Sequence, residues 1–236
     1  MAIVNQSKCV GCKKCLLYCP MAAISIKEKK AFVDQDECVE CGICLNQCKF
    51  GALSIPELSW PRNIRSELSN PKCPCKTGVL GRSTEEMKTN DVTGRFKEGE
   101  VGLCAELGRP GTGARISELE KVAMALAKVD GIEFEPCNPI TALMVDNTGK
   151  MREDVLQEKI MSGIVEVKFP VERTREVLTA LKEVEPTINT VFSVDMITVV
   201  YPDGSQPPVE IAREMGIDVY PNCKTNMGIG CHKLAR

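Results

Sequence analysis

The chain has 236 residues, about one and a half ordinary domains, of which 43% are hydrophobic and 26% charged. Those proportions are globular and exclude a disordered or fibrous protein. The net charge of −2 shows no basic surplus of the kind nucleic-acid binding needs, and no apolar run is long enough to span a bilayer. The opening MAIVNQSKCVGC has no basic-then-apolar secretion signal, so a cytoplasmic location is expected. Aromatics are scarce (one Trp, three Tyr, six Phe), whereas cysteines number fourteen. In an unexported chain of this size, that many cysteines point to metal or redox chemistry rather than to disulfides.

Eight of them lie between Cys9 and Cys48, as Cys9, Cys12, Cys15, Cys19 and then Cys38, Cys41, Cys44, Cys48. Both sets read C-x2-C-x2-C-x3-C. Shifting residues 9–26 by 29 places lays them on 38–55 with nine of eighteen positions identical, among them Val10/Val39, Leu16/Leu45 and Ala23/Ala52. An internal duplication explains this better than chance. Three thiolates at that spacing wrap a compact loop around one four-iron cube and donate to three of its irons, while the fourth points away to the other cluster. Cys9, Cys12, Cys15 and Cys48 are therefore expected to hold one [4Fe–4S] cluster, and Cys38, Cys41, Cys44 and Cys19 the second. Zinc sites pair two C-x2-C units over a longer gap.

Residues 1–56 resemble a bacterial two-[4Fe–4S] ferredoxin. Lys49 departs from the proline usual after the fourth cysteine, a change to the turn that leaves ligation intact. The segment carries seven lysines (8, 13, 14, 27, 29, 30, 49) against five acids (28, 34, 36, 37, 40). Freely diffusing relatives are commonly acidic, so this balance favours a fixed docking role.

Pro-rich residues 57–78 read as a linker, with Trp60 covering an apolar patch or pinning the linker to a surface. Residues 79–236 read as an α+β ligand- or partner-binding domain with two strand–helix–strand units. Val101–Leu107 is a predicted strand, followed by the loop Gly108–Arg115 and a helix opened by a Ser117/Glu120 capping box. Leu119, Val122, Ala123, Leu126 and Val129 form its apolar stripe, and Asp130-Gly131 ends it. A short strand at Ile132–Glu135 is expected to resume at Thr141–Val145, and Asp154–Met161 to form a connecting helix. The second unit comprises a strand at Ile164–Phe169, a helix opened by Pro170 with Val177, Leu178, Leu181 and Val184, and a strand at Thr190–Val200. A helix at Pro208–Met215 and an edge strand at Ile217–Tyr220 close the pattern. The fold class expected is α+β, with helices on one face of a mostly antiparallel sheet.

The loop containing Gly108, Arg109, Gly111, Gly113 and Arg115 offers free N–H groups and two guanidiniums to a small anion such as a carboxylate, phosphate or flavin phosphate. An ordinary turn with solvent-facing arginines is the alternative. Cys73, Cys75, Cys223 and Cys231, with the single histidine His232, form a candidate further metal site, although reduced thiols need no such explanation. Cys104 reads as a small core residue. The tripeptide Lys-Thr-Asn recurs at 88–90 and 224–226 in polar, Gly-containing segments. Residues 86–96, 106–113 and 224–230 resemble the 6-hydroxynicotinate reductase family, which implies low-potential reduction of an unsaturated organic ring.

The expected function is anaerobic iron–sulfur electron transfer, with the chain acting as the ferredoxin-like subunit or module of a reductase whose partner is a larger oxidoreductase subunit or a redox protein. Two alternatives stand beside it. One is a self-contained reductase of an unsaturated ring or small carboxylate, with a flavin as a further cofactor. The other is a redox-linked regulatory protein that binds a ligand.

Overall fold

The duplication read in the sequence is also a duplication of backbone geometry. The computed structural model describes residues 1–72, 94–109 and 111–219. Its first part comprises β1 (Ile3–Val4), α1 (Lys14–Leu17), β2 (Ile24–Lys27), β3 (Lys30–Val33), α2 (Ile43–Gln47) and β4 (Leu53–Ser54). β1 pairs antiparallel with β4, and β2 with β3. A shift of 29 carries the pairs Ile3↔Ser54 and Val4↔Leu53 onto Phe32↔Ser25 and Val33↔Ile24. The turns repeat too. The Asn5 carboxamide oxygen accepts from the N–H groups of Ser7 and Lys8, and the Asp34 carboxylate accepts from those of Asp36 and Glu37. Asn5 N–H donates to the Ala52 carbonyl and Asp34 N–H to that of Ala23, both at 2.7 Å.

Three left-handed positions recur at the same shift: Gly11 and Glu40, Lys13 and Gly42, Ala22 and Gly51. Each pair contains one glycine, the residue that adopts positive φ at least cost. The loop shape is thus kept even where its cheapest residue is not.

The stretch read as a linker contains a helix, α3 (Asn63–Ser69). Its Ile64 and Leu68, one turn apart, enter the main aliphatic core, and Arg65 and Ser69 are also buried. Three prolines, at 61, 71 and 74, masked that periodicity. Trp60 stays exposed; its indole N–H donates to Asp154, and the Arg152 guanidinium lies over its ring at 4.5 Å.

The remaining described elements are β5 (Glu100–Leu107), β6 (Ala114–Arg115), α4 (Ile116–Leu126), β7 (Glu133–Phe134), β8 (Lys159–Ile160), β9 (Gly163–Pro170), α5 (Thr174–Val184), β10 (Phe192–Ile197) and α6 (Pro207–Glu214). Four strands form one antiparallel sheet in the order β10-β5-β9-β7. The content is mixed helix and sheet, compatible with α+β. Along β5, Val101, Leu103, Ala105 and Leu107 enter the core, and along β9, Val165, Val167 and Phe169 do so. The alternate residues, including Cys104, Glu106, Glu166 and Lys168, take the other face, as the two-residue period requires. Leu119, Val122, Ala123 and Leu126 of α4 and Val177, Leu178 and Leu181 of α5 supply the helical side of that core.

Several local expectations fail for tertiary reasons. α4 begins at Ile116, so Ser117 lies inside the first turn and caps nothing. The N–H groups of Ile116 and Ser117 donate to the carbonyls of Glu158 and Leu156, and Glu120 accepts from the Met151 N–H. The helix predicted at Asp154–Met161 is a turn at Glu153–Val155 followed by β8, which pairs with β6. Thr141–Leu143 is a single helical turn rather than a resumed strand. Pro170 ends β9 instead of opening a helix; α5 starts at Thr174 after an intervening turn. Ile217–Val219 is not a strand and packs side chains against the core; Tyr220 lies outside the described residues.

Candidate metal centre

Cys9, Cys12, Cys15 and Cys48 line one pocket together with Gly11, Ala31 and neighbouring apolar side chains. Cys48 comes from the second repeat and the other three from the first. The exchange is reciprocal: Cys19 packs with Cys38 and Cys41 against Met21, Ala23 and Val39. Cys44 lies close to Cys41, Cys38 and Cys19 and also to Cys15 of the first group, and with Cys19 it packs on the apolar cluster around Cys9 and Cys15. The short helices α1 and α2 contain the third cysteine of each motif, Cys15 and Cys44, and the fourth, Cys19 and Cys48, follows the helix end.

Backbone amides turn toward the sulfurs. The N–H groups of Ala31, Ala23 and Ala52 donate to the sulfurs of Cys9, Cys19 and Cys48, each at 3.3 Å. Ala23 and Ala52 are equivalent in the two repeats. Such bonds stabilise thiolate and tune a bound centre. Burial pushes the Cys38 thiol up to about 11 and the Cys44 thiol up to about 12, and it raises Cys41 and Cys15 as well. These thiols are neutral at neutral pH, so loading a metal must displace protons from them. The all-sulfur donor sets, the amide donors and the pocket fit an iron–sulfur cluster. No group of three or more His, Cys, Asp or Glu among the described residues is placed to hold a single metal ion.

A family model described as a 4Fe-4S dicluster domain matches residues 8–52. That segment is a ferredoxin-type iron–sulfur domain. No curated protein and no solved structure matches the chain, and the resemblance of residues 80–236 to the 6-hydroxynicotinate reductase family is without support.

The second cysteine group of the ferredoxin-type domain lies against the rest of the chain. Arg65, 3% exposed, donates through Nη1 to the carbonyls of Gln35, Asp36 and Cys38 and through Nε to Glu158. Met161 packs on Met21 and Val39, and its N–H donates to the Ser69 hydroxyl at 2.9 Å. Arg115 pairs with Asp36 at 2.6 Å, and Lys159 pairs with Glu37. Glu40, fully buried beside Cys38 and Cys41, receives both Nε and Nη2 of Arg62 on one oxygen. Its other oxygen has no hydrogen-bond partner among the described residues. Glu40, Arg62 and Arg65 escaped the sequence reading. The available signal was a charged residue standing at Gly11's place in the repeat.

The glycine-rich loop is placed beside this same group. A Cβ on Gly113 would meet the Met21 sulfur at 2.8 Å, and one on Gly111 would stand 3.8 Å from the Pro20 carbonyl. The groups expected to attract an anion are engaged within the chain. Arg115 bonds Asp36 and the Gln157 carbonyl, Arg109 pairs with Glu106, and the Gly108 N–H donates to Val191. Cys104 is buried in β5, where burial, reinforced by Glu166 and Asp195, raises its thiol strongly and keeps it protonated. Cys73, Cys75, Cys223, Cys231, His232 and both Lys-Thr-Asn segments lie outside the described residues.

No helix among the described residues is long and apolar enough to cross a membrane.

Proposed function

We propose that this chain is the electron-delivering module of a larger reductase. Cys9, Cys12, Cys15 and Cys48 hold one [4Fe–4S] cluster, and Cys38, Cys41, Cys44 and Cys19 hold the other. When bound, each cluster accepts and releases single electrons. The amides of Ala23, Ala31 and Ala52 lower the cost of negative charge on the sulfurs. The carrying observation is the exchange of Cys19 and Cys48 between the two groups, which an independent-loop arrangement would not produce. The ties from Arg65, Arg115 and Lys159 favour a module fixed in place over a diffusing carrier.

Anaerobic purification followed by iron and sulfide analysis tests the assignment. About eight irons per chain are expected, and about four after Cys19→Ser. The pairings separate the schemes. Cys19→Ser combined with Cys41→Ser removes two ligands of one cluster and leaves about four irons, whereas Cys19→Ser combined with Cys12→Ser removes one ligand from each and leaves almost none. The reverse result would establish local loops and overturn the exchange.

A further inference from the structure

The ferredoxin-type domain carries its charges unevenly. Asp36 and Glu37 are paired with Arg115 and Lys159, and Glu40 is buried on Arg62. Asp34 turns its carboxylate back onto its own loop. Three of the domain's five acids therefore sit where it meets α3 and the rest of the chain, and the fifth, Glu28, lies exposed in the β2–β3 turn. Lys13, Lys14 and Lys49, by contrast, make no ion pair among the described residues. A shallow groove is lined by Cys12, Lys14, Leu17, Gln47, Lys49 and Phe50. Leu17 is 77% exposed and Phe50 50%, unusual for large apolar side chains that share a patch.

We infer that this face docks a small electron-carrier protein whose own cofactor is ringed by acidic side chains. An apolar centre with a charged rim is the anatomy of a specific interface, and the lysines would attract and orient an acidic partner. A second copy of this chain is disfavoured, because a two-fold contact would set lysine rim against lysine rim. The opposite end of the domain is closed by Arg65, Arg115 and Lys159, which leaves this end open to the carrier. In the exchange, the carrier is oxidised by one electron as the domain is reduced by one, with no proton or group transferred. The inference rests on the electron-transfer reading above.

The test uses the full chain with its clusters and a strongly acidic flavodoxin as the probe. Binding and the second-order rate of reduction by the reduced flavodoxin are measured across ionic strengths, for the parent and for the Lys14→Glu/Lys49→Glu variant. The parent's rate should fall steeply with added salt. At low salt, the variant should react roughly ten- to a hundredfold more slowly and lose its salt dependence. Its iron content and its reduction by dithionite should match the parent's. A variant that reacts like the parent, or a parent rate indifferent to salt, overturns the docking face. So does a parent that sediments as a dimer which Leu17→Ser dissociates. A chain without iron, or one that dithionite cannot reduce, instead refutes the electron-transfer reading beneath it.

Discussion

Gly11 and Glu40 stand at the same place in the two repeats, with φ of 66° and 56°. A Cβ at Gly11 would lie 2.1 Å from the Lys29 carbonyl oxygen, so nothing larger than glycine fits. At Glu40 the same backbone holds a carboxylate that is fully buried against Arg62. The first repeat thus closes its loop with its own backbone, whereas the second leaves room that a helix from outside the module fills. Duplicated loops can share a conformation and still differ in environment, because the surroundings of each are set by distant chain.

The strongest way to break this contrast is to remove the partner of the buried carboxylate. Arg62→Ala should destabilise the protein by about 3–5 kcal/mol in denaturant unfolding, because Glu40 is left charged and unpaired. Adding Glu40→Gly should restore much of that loss, since it removes the orphan charge and suits the left-handed backbone. Redox titration should show Arg62→Ala moving the potential of only one of the two clusters. Equal shifts in both would mean that the pair does not distinguish them.

The glycines sharpen the comparison at smaller scale. Gly11→Ala should cost about 2–3 kcal/mol, combining a strained φ with a clash against fixed backbone. At Gly51, also left-handed, nothing lies within 4 Å of a new Cβ, so Gly51→Ala should cost only about 1 kcal/mol. Equal losses from these two substitutions, measured by urea midpoint, would show that contact with Lys29 is irrelevant.

The smallest effect concerns Trp60, which ties the connecting stretch to Asp154. The Arg152 guanidinium, aided by the Trp60 indole, holds the Asp154 carboxyl below its ordinary value of 3.8. A depressed carboxylate contributes stability above its unfolded pKa and loses that contribution as the pH falls through the folded value. The fluorescence of Trp60, the only tryptophan, should therefore stay constant from neutral pH down to about 4 and change below it. Asp154→Asn should show the altered emission already at neutral pH. Identical acid titrations in parent and variant would remove Asp154 from the account.

Elements governed by local periodicity were legible in the chain. A short apolar run marked β5, alternation marked β9, and apolar stripes marked α4 and α5. The cysteine spacing and the 29-residue shift announced the cluster module, and the family match to residues 8–52 agrees. Wherever a non-local partner decided the outcome, local reading failed. The start of α4 is satisfied by the carbonyls of Leu156 and Glu158 rather than by Ser117, and the predicted helix at 154–161 was converted to β8 by pairing with β6. The proximity of Gly111 and Gly113 to Pro20 and Met21 is likewise invisible in the spacing of the chain. Arg62 and Arg65 sit in a proline-rich stretch with the composition of a linker, and their burial beside Glu40 and the carbonyls of Gln35, Asp36 and Cys38 exists only once α3 is docked. Spacing and periodicity are properties of neighbours along the chain. The burial of a charge depends on segments that meet only in the folded protein, and that was decided by tertiary structure alone.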